Sequence, residues 1–400
     1  MKTAREIHEE IVTVDTHVDF SPADFTAERN YTQRLETQVN LPKMSEGGLD
    51  GVFFVVFTPQ ARKAQNSDAF ETAGYERAYR TAVEKFDAVH RLTDEIAPDQ
   101  IGLARSSVDL TRIHGENKKV ALIGIENGYP IATEVARIQE FYDRGARYMS
   151  LAHNGHNQLS DSHTGEREGW QWNGLSPLGK EIIVEMNRVG MMVDVSHASR
   201  DSMMQSVEIS RAPLIASHSA IRALCNISRN MDDEQMSALK QTGGVMQIVA
   251  YGGFLKRRNP DSAERTAALE ALRKNFNLPG AHPQSRAFAD ALAELESGRR
   301  AEYEEELGNI EAIYPGDPPA GVSEFMDHID YAVKLIGIDH VGIASDFEGG
   351  GGIVGWNDAS ETFNVTAELF RRGYSENEIQ KLWGQNILRV MDEVQRIAKK

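Results

Sequence analysis

Cysteine is nearly missing from this chain. Cys225 stands alone among 400 residues, which excludes an intrachain disulfide and any metal site built on thiolates. Long apolar runs are missing too: no stretch approaches the ~20 residues a helix needs to cross a bilayer. Positive charge is scarce, with 43 Lys and Arg against 60 Asp and Glu and a net charge of −17. Nucleic acid and anionic membranes both demand a basic face, so neither is expected as a partner, whereas cations are. The opening "MKTAREIHEE" lacks the apolar core of a signal peptide, and the closing "MDEVQRIAKK" reads as a charged helix and not as a lipid-anchor tail. The expectation is a soluble chain with no membrane anchor, cytoplasmic as given, or periplasmic if a leader has been removed. No Gly-rich phosphate fingerprint follows the first strand-like run, which disfavours an open doubly wound sheet. The glycines of Gly349–Gly352 lack the lysine of a phosphate loop.

What the chain does have is alternation. Short, Val/Ile-rich runs recur: "IVTVDTHVDF", "GVFFVVFTP", "KVALIGIENG", "ARYMSLAHN", "GMMVDVSHAS", "PLIASHS", "GGVMQIVAY" and "HVGIASDFEG". Their near-continuous apolarity suits parallel strands covered on both faces. Helical patterns lie between them. "DDEQMSALKQTGG" starts with acids and stops at Gly243, and a capping box, Ser375 to Glu378, opens the C-terminal helix. Eight such alternations predict an α/β chain folded as one (β/α)8 TIM-type barrel over residues 1–400. A long helix is expected over 60–98. A helical insertion is expected at about 255–325, after the seventh strand, as a candidate lid.

Polar residues sit at the ends of these runs. His17 and Asp19 close the first, and residues two apart in a strand share a face. Glu126 closes the third, His153 the fourth, His197 the fifth, His218 the sixth and Asp346 the eighth. Barrel active sites lie at the C-terminal ends of the strands, so these side chains are expected to converge. Burying so many imidazoles and carboxylates together is costly unless a metal is bound. Imidazole and carboxylate without thiolate suit zinc, and also Mn, Fe or Co. The donors outnumber what one zinc takes, so two ions about 3.5–4 Å apart are expected, with Glu126 bridging. His156 and His163 lie in a polar loop and are expected to be solvated or to support the ligands. His8, His90, His114, His282, His328 and His340 are expected to be structural.

The set His17-x-Asp19, "IGIENG", "LAHN", "GMMVDVSHAS", "PLIASHS", "SRNMDDEQ" and "GIDHVGIASDFEG", with "GLSPLGKEIIVEMNRVG" and "WGQNILRV", resembles the renal (membrane) dipeptidase family of the amidohydrolase superfamily. The likeness runs from residue 11 to about the end, and the single cysteine and polar tail look more like a bacterial member. It implies a binuclear zinc hydrolase that cleaves small dipeptides with a metal-bridged hydroxide, those with a C-terminal D-residue among the candidates. His17, Asp19 and Glu126 would hold one ion, and Glu126, His197 and His218 the other. Asp346 would transfer the proton, His153 would bind and polarise the scissile carbonyl, and Arg229 would pair with the substrate's α-carboxylate. The family's aromatic after the seventh strand has two contenders, Tyr251 and Phe254, with Tyr251 taken as the substrate contact. Two other readings remain open on sequence: a related amidohydrolase acting on N-acyl amino acids, and a metal-bearing but catalytically silent binding protein. A homodimer is compatible with either.

Overall fold

The computed structural model describes residues 2–60, 70–280, 288, 291–292 and 294–399. Among them are nine strands: β1 (Val14–Val18), β2 (Gly51–Phe57), β3 (Ile101–Leu103), β4 (Lys119–Glu126), β5 (Ala146–Ser150), β6 (Met192–Asp194), β7 (Ile215–Ser219), β8 (Val245–Val249) and β9 (Val341–Ala344). All pair in parallel, in the order β1-β2-β4-β5-β6-β7-β8-β9. The two end strands meet through a Val18–Phe347 bridge, where the Asp19 N–H donates to Phe347 O at 2.9 Å and the Asp346 N–H to His17 O at 3.1 Å. The sheet is therefore a nearly closed (β/α)8 barrel. Each predicted run holds one barrel strand. β3, three residues long, pairs only with Lys119–Ala121 of β4, ahead of the stretch that pairs with β5.

The strands are apolar on both faces because both are covered. Residues 52–56 of β2 are wholly buried, as are residues 120–123 of β4. Local chemistry sets the helix ends. Asp232 and Gln235 cap each other at the start of Asp233–Gln241, and Gly243, at φ +79°, ends that segment. The box of Ser375 and Glu378 opens Glu376–Gln380. Beyond β2 the helix runs Thr72–His90 and widens over Arg91–Ile96. It starts later than expected, and residues 61–69 of the expected span lie outside the described residues. No helix among the described residues is long and apolar enough to cross a membrane.

The chain divides into two compact units. Residues 1–255 and 320–400 make the barrel unit, which includes the helix Val322–Ile336. Residues 256–319 make the second, with helices Ala263–Asn275 and Ser297–Ile313 around Leu272, Phe276, Phe288 and Tyr303. His282 lies outside the described residues.

Candidate active site

Glu126, the last residue of β4, is the hub. Its Oε2 lies 3.7 Å from His17 Nε2 at the end of β1. Its Oε1 faces the other way, 3.0 Å from His197 Nε2, 3.3 Å from His218 Nε2 and 3.9 Å from His153 Nε2. Asp19 Oδ2 and Asp346 Oδ1 each lie 3.9 Å from His17 Nε2. Three ligand-type groupings result, with donor atoms within 4.8 Å of one another: His17, Asp19 and Glu126; Glu126, His197 and His218; His17, His218 and Asp346. Seven strand-end residues that are scattered in sequence thus meet at the C-terminal mouth of the barrel.

The partners of the imidazoles decide which nitrogen faces the centre. The Tyr148 hydroxyl donates to Thr16 O at 3.0 Å, so its oxygen accepts from His17 Nδ1 at 3.1 Å. Ser217 Oγ donates to Asp194 Oδ2 at 2.6 Å, so it accepts from His218 Nδ1 at 2.8 Å. Asn154 Oδ1 accepts from His197 Nδ1 at 3.1 Å. Each Nδ1 therefore carries the proton, and each Nε2 presents a lone pair to the carboxylates. His17 Nε2 is buried without a hydrogen-bond partner, and the Nε2 atoms of His197 and His218 stand 2.9 Å apart. Lone pairs so crowded repel unless a cation or a proton sits among them. This nitrogen and oxygen donor set, with no sulfur, fits a divalent transition metal.

Glycines make room for the arrangement. A Cβ on Gly124 of β4 would stand 2.0 Å from Tyr148 Cζ and displace the ring that orients His17. One on Gly349 would meet Asp346 Oδ1 at 2.4 Å and Asp19 Oδ2 at 2.5 Å. His197, Asp346 and Glu348 hold positive φ of 65°, 60° and 64°, a strain of the kind found where side chains must be aimed. Burial shapes the charges. It pushes the Asp346 carboxyl up to about 8, with Asp19 and Glu126 adding to the shift. It raises Asp19 to about 6. On His17 burial opposes the charge, but Glu126, Asp346 and Asp19 outweigh it and hold the imidazole up at about 9. Without a metal, a proton takes the place of the cation there.

The mouth opens into a cavity of about 480 Å³. Asp19, Glu126, His153, His197, His218, Tyr251 and Asp346 line it, so both the expected carbonyl contact and the expected aromatic are at the wall. Phe254 lines it as well, with its ring 4.3 Å from that of Tyr251. Arg229 is placed differently. It is buried behind His218, outside the lining, donating from Nη2 to His218 O at 2.5 Å and from Nη1 to Ser219 Oγ at 2.9 Å. Its Nε–H has no hydrogen-bond partner among the described residues. Asn154, Thr164, Arg167 and Glu348 also line the cavity, and sequence reasoning had not placed them there; His163, expected to be solvated or to support the ligands, lines it too and meets Asn154 Oδ1, the partner of His197, at 2.9 Å. Neither had it found Asp194, although a carboxylate inside the apolar run "MMVDVSH" was the available signal.

Comparison with known proteins identifies the family. The profile of the membrane dipeptidase family, peptidase family M19, matches residues 1–400. The structure of the probable dipeptidase PvdM from Pseudomonas aeruginosa is similar over 98% of this chain and 98% of its own, at 33% identity and a TM-score of 0.79. Dipeptidase verJ of Clonostachys rogersoniana is 30% identical over 90% of this chain and 77% of its own. Dipeptidase tcpJ of Claviceps purpurea (strain 20.1) is 28% identical over 92% of this chain and 72% of its own.

Proposed function

This chain belongs to the membrane dipeptidase family, peptidase family M19, a metal-dependent family of hydrolases acting on dipeptides, and from that premise we propose how its cavity does the work. His17, Asp19 and Glu126 would hold one zinc ion, and Glu126, His197 and His218 a second. The carrying observation is that the two oxygens of Glu126 face two different sets of nitrogen and oxygen donors. When bound, such ions supply a water acidified to a pKa of about 7 and positive charge to stabilise a developing oxyanion.

The protein's own groups do the rest. Asp346 accepts the proton of the attacking water and returns it to the leaving amine. A carboxyl that burial lifts toward neutrality can serve in both directions. His153 donates from its imidazole to the scissile carbonyl oxygen as charge builds there. Burial keeps that ring below its ordinary pKa, hence neutral and with a single N–H to give. Arg229, whose Nε–H is the donor left over from its bonds to β7, pairs with the substrate's α-carboxylate once the side chain turns toward the cavity, and Tyr251 bounds the side-chain space. A kinetic screen tests the reading: dipeptides with C-terminal residues of either hand against N-acyl amino acids. Faster hydrolysis of N-acyl amino acids than of any dipeptide would overturn it.

Arg229 gives a sharper check. Because it also braces the end of β7, Arg229→Met alone would confound binding with packing. Paired with substrates whose α-carboxylate is blocked as an amide, it becomes a double cycle. On free dipeptides the variant should lose roughly ten- to a hundredfold or more in kcat/KM, the scale of hydrogen bonds between charged groups at about 1.5–3 kcal/mol. On the amides, already poor substrates, it should lose much less. Losses that multiply would leave Arg229 a structural brace.

Metal affinity should depend on pH with a definite sign. His17 must shed its proton to ligate, and in the metal-free protein it holds that proton up to about pH 9. Affinity should therefore rise roughly tenfold per unit from pH 7 toward 9, with release of a proton. Chelator competition at several pH values measures this, and a flat profile would contradict His17 as a ligand.

A further inference from the structure

The cavity lining carries both signs of charge. Asp19, Asp346 and Glu348, just beyond the ends of β1 and β9, bring carboxyl groups to it. Arg167 stands on the loop that follows β5, beside His163. Arg167 is exposed, and its guanidinium makes no hydrogen bond or ion pair with the described residues.

The loop holding it is stitched down. Glu166 takes both ends of the Arg222 guanidinium, at 2.6 and 2.9 Å, tying this segment to the loop after β7. The Asp161 carboxylate accepts from the N–H groups of Gln171, Trp172 and Gly174 at 2.9–3.1 Å. The His163 N–H donates to His197 O at 2.9 Å, which fixes the loop to the ligand cluster. A free guanidinium on a pinned backbone offers its planar fork to a carboxylate, with only its own side chain left to order on binding. His163 ties the same loop to the neighbourhood of Arg229: its Nδ1 stands 3.0 Å from the hydroxyl of Ser228, the residue next to Arg229 in sequence.

We propose that Arg167 reads an acidic side chain on the C-terminal residue of the dipeptide, so that X-Asp and X-Glu are preferred over their neutral counterparts. The assignment rests on Arg229 taking the α-carboxylate, since the neighbouring group the second arginine meets is then that residue's side chain.

The test compares kcat/KM of the zinc-loaded full chain for Ala-Asp, Ala-Asn and Ala-Lys. An accessible ion pair in a cavity predicts Ala-Asp over Ala-Asn by about three- to tenfold, shrinking in 0.5 M salt. In Arg167→Gln that ratio should fall to near one, and in Arg167→Glu it should invert, with Ala-Lys gaining over Ala-Asp. A merely structural loss would lower all three substrates together and leave the ratio alone. A wild-type ratio at or below one, or a ratio unchanged in both variants, overturns the assignment. Failure to cleave any of the three by wild type would instead overturn the dipeptidase reading beneath it.

Discussion

Asp346→Asn should keep its metals and lose turnover by about 10²–10⁴-fold, the usual worth of a positioned general acid–base. Asparagine is the right probe for local reasons. Asp346 sits at φ +60° in a turn whose carbonyl accepts from the Gly349 and Gly351 N–H groups, and asparagine tolerates that conformation well. The amide also keeps the shape of the carboxyl but cannot accept and return a proton. Stability supplies an internal control. A carboxyl raised to about 8 in the folded protein opposes folding increasingly as pH climbs from its unfolded value of about 4 toward 8. The metal-free variant, relieved of that ionisation, should therefore gain in Tm over metal-free wild type more at pH 8 than at pH 5. Near-wild-type turnover with both metals bound would remove Asp346 from the proton path.

Much of this site was legible because barrel strands announce themselves. Runs buried on both faces read as continuous apolarity, and a His, Asp or Glu at the end of six of the eight stands out against it. Convergence then follows from the fold alone, since every strand of a parallel barrel ends at one mouth. What stayed hidden depends on contacts distant in sequence. β3 is too short to show any period. Arg167 and Asn154 lie on a loop whose course is set by the Asp161 cradle and the Glu166–Arg222 pair, which no local pattern reveals. The supporting layer of Tyr148, Ser217 and Asp194 read as ordinary strand residues. Their role appears only when Gly124 lets Tyr148 slide under His17. Arg229 was singled out through the family likeness. Its residue type gave no hint that two of its donors would be spent on β7.

Glu126→Gln should have the larger effect and should act through the metals. Wild type is expected to hold two ions per chain by elemental analysis, because each oxygen of Glu126 serves its own donor set. An amide has one acceptor and one N–H2 group, so one of the two sets would face donors where it now faces a carboxylate oxygen. At most one ion should remain, and kcat/KM should drop by roughly 10³-fold or more, about 4 kcal/mol of transition-state stabilisation. The contrast with Asp346→Asn carries the argument. Both residues are buried carboxylates beside His17, and both substitutions remove one negative charge. If Glu126 bridges and Asp346 transfers protons, the first variant loses metal and activity together, whereas the second loses activity alone. Two ions retained in Glu126→Gln would mean that neither site depends on a shared carboxylate. Metal lost from Asp346→Asn would move Asp346 into the grouping it forms with His17 and His218, making it a ligand and leaving the proton's carrier to be sought elsewhere.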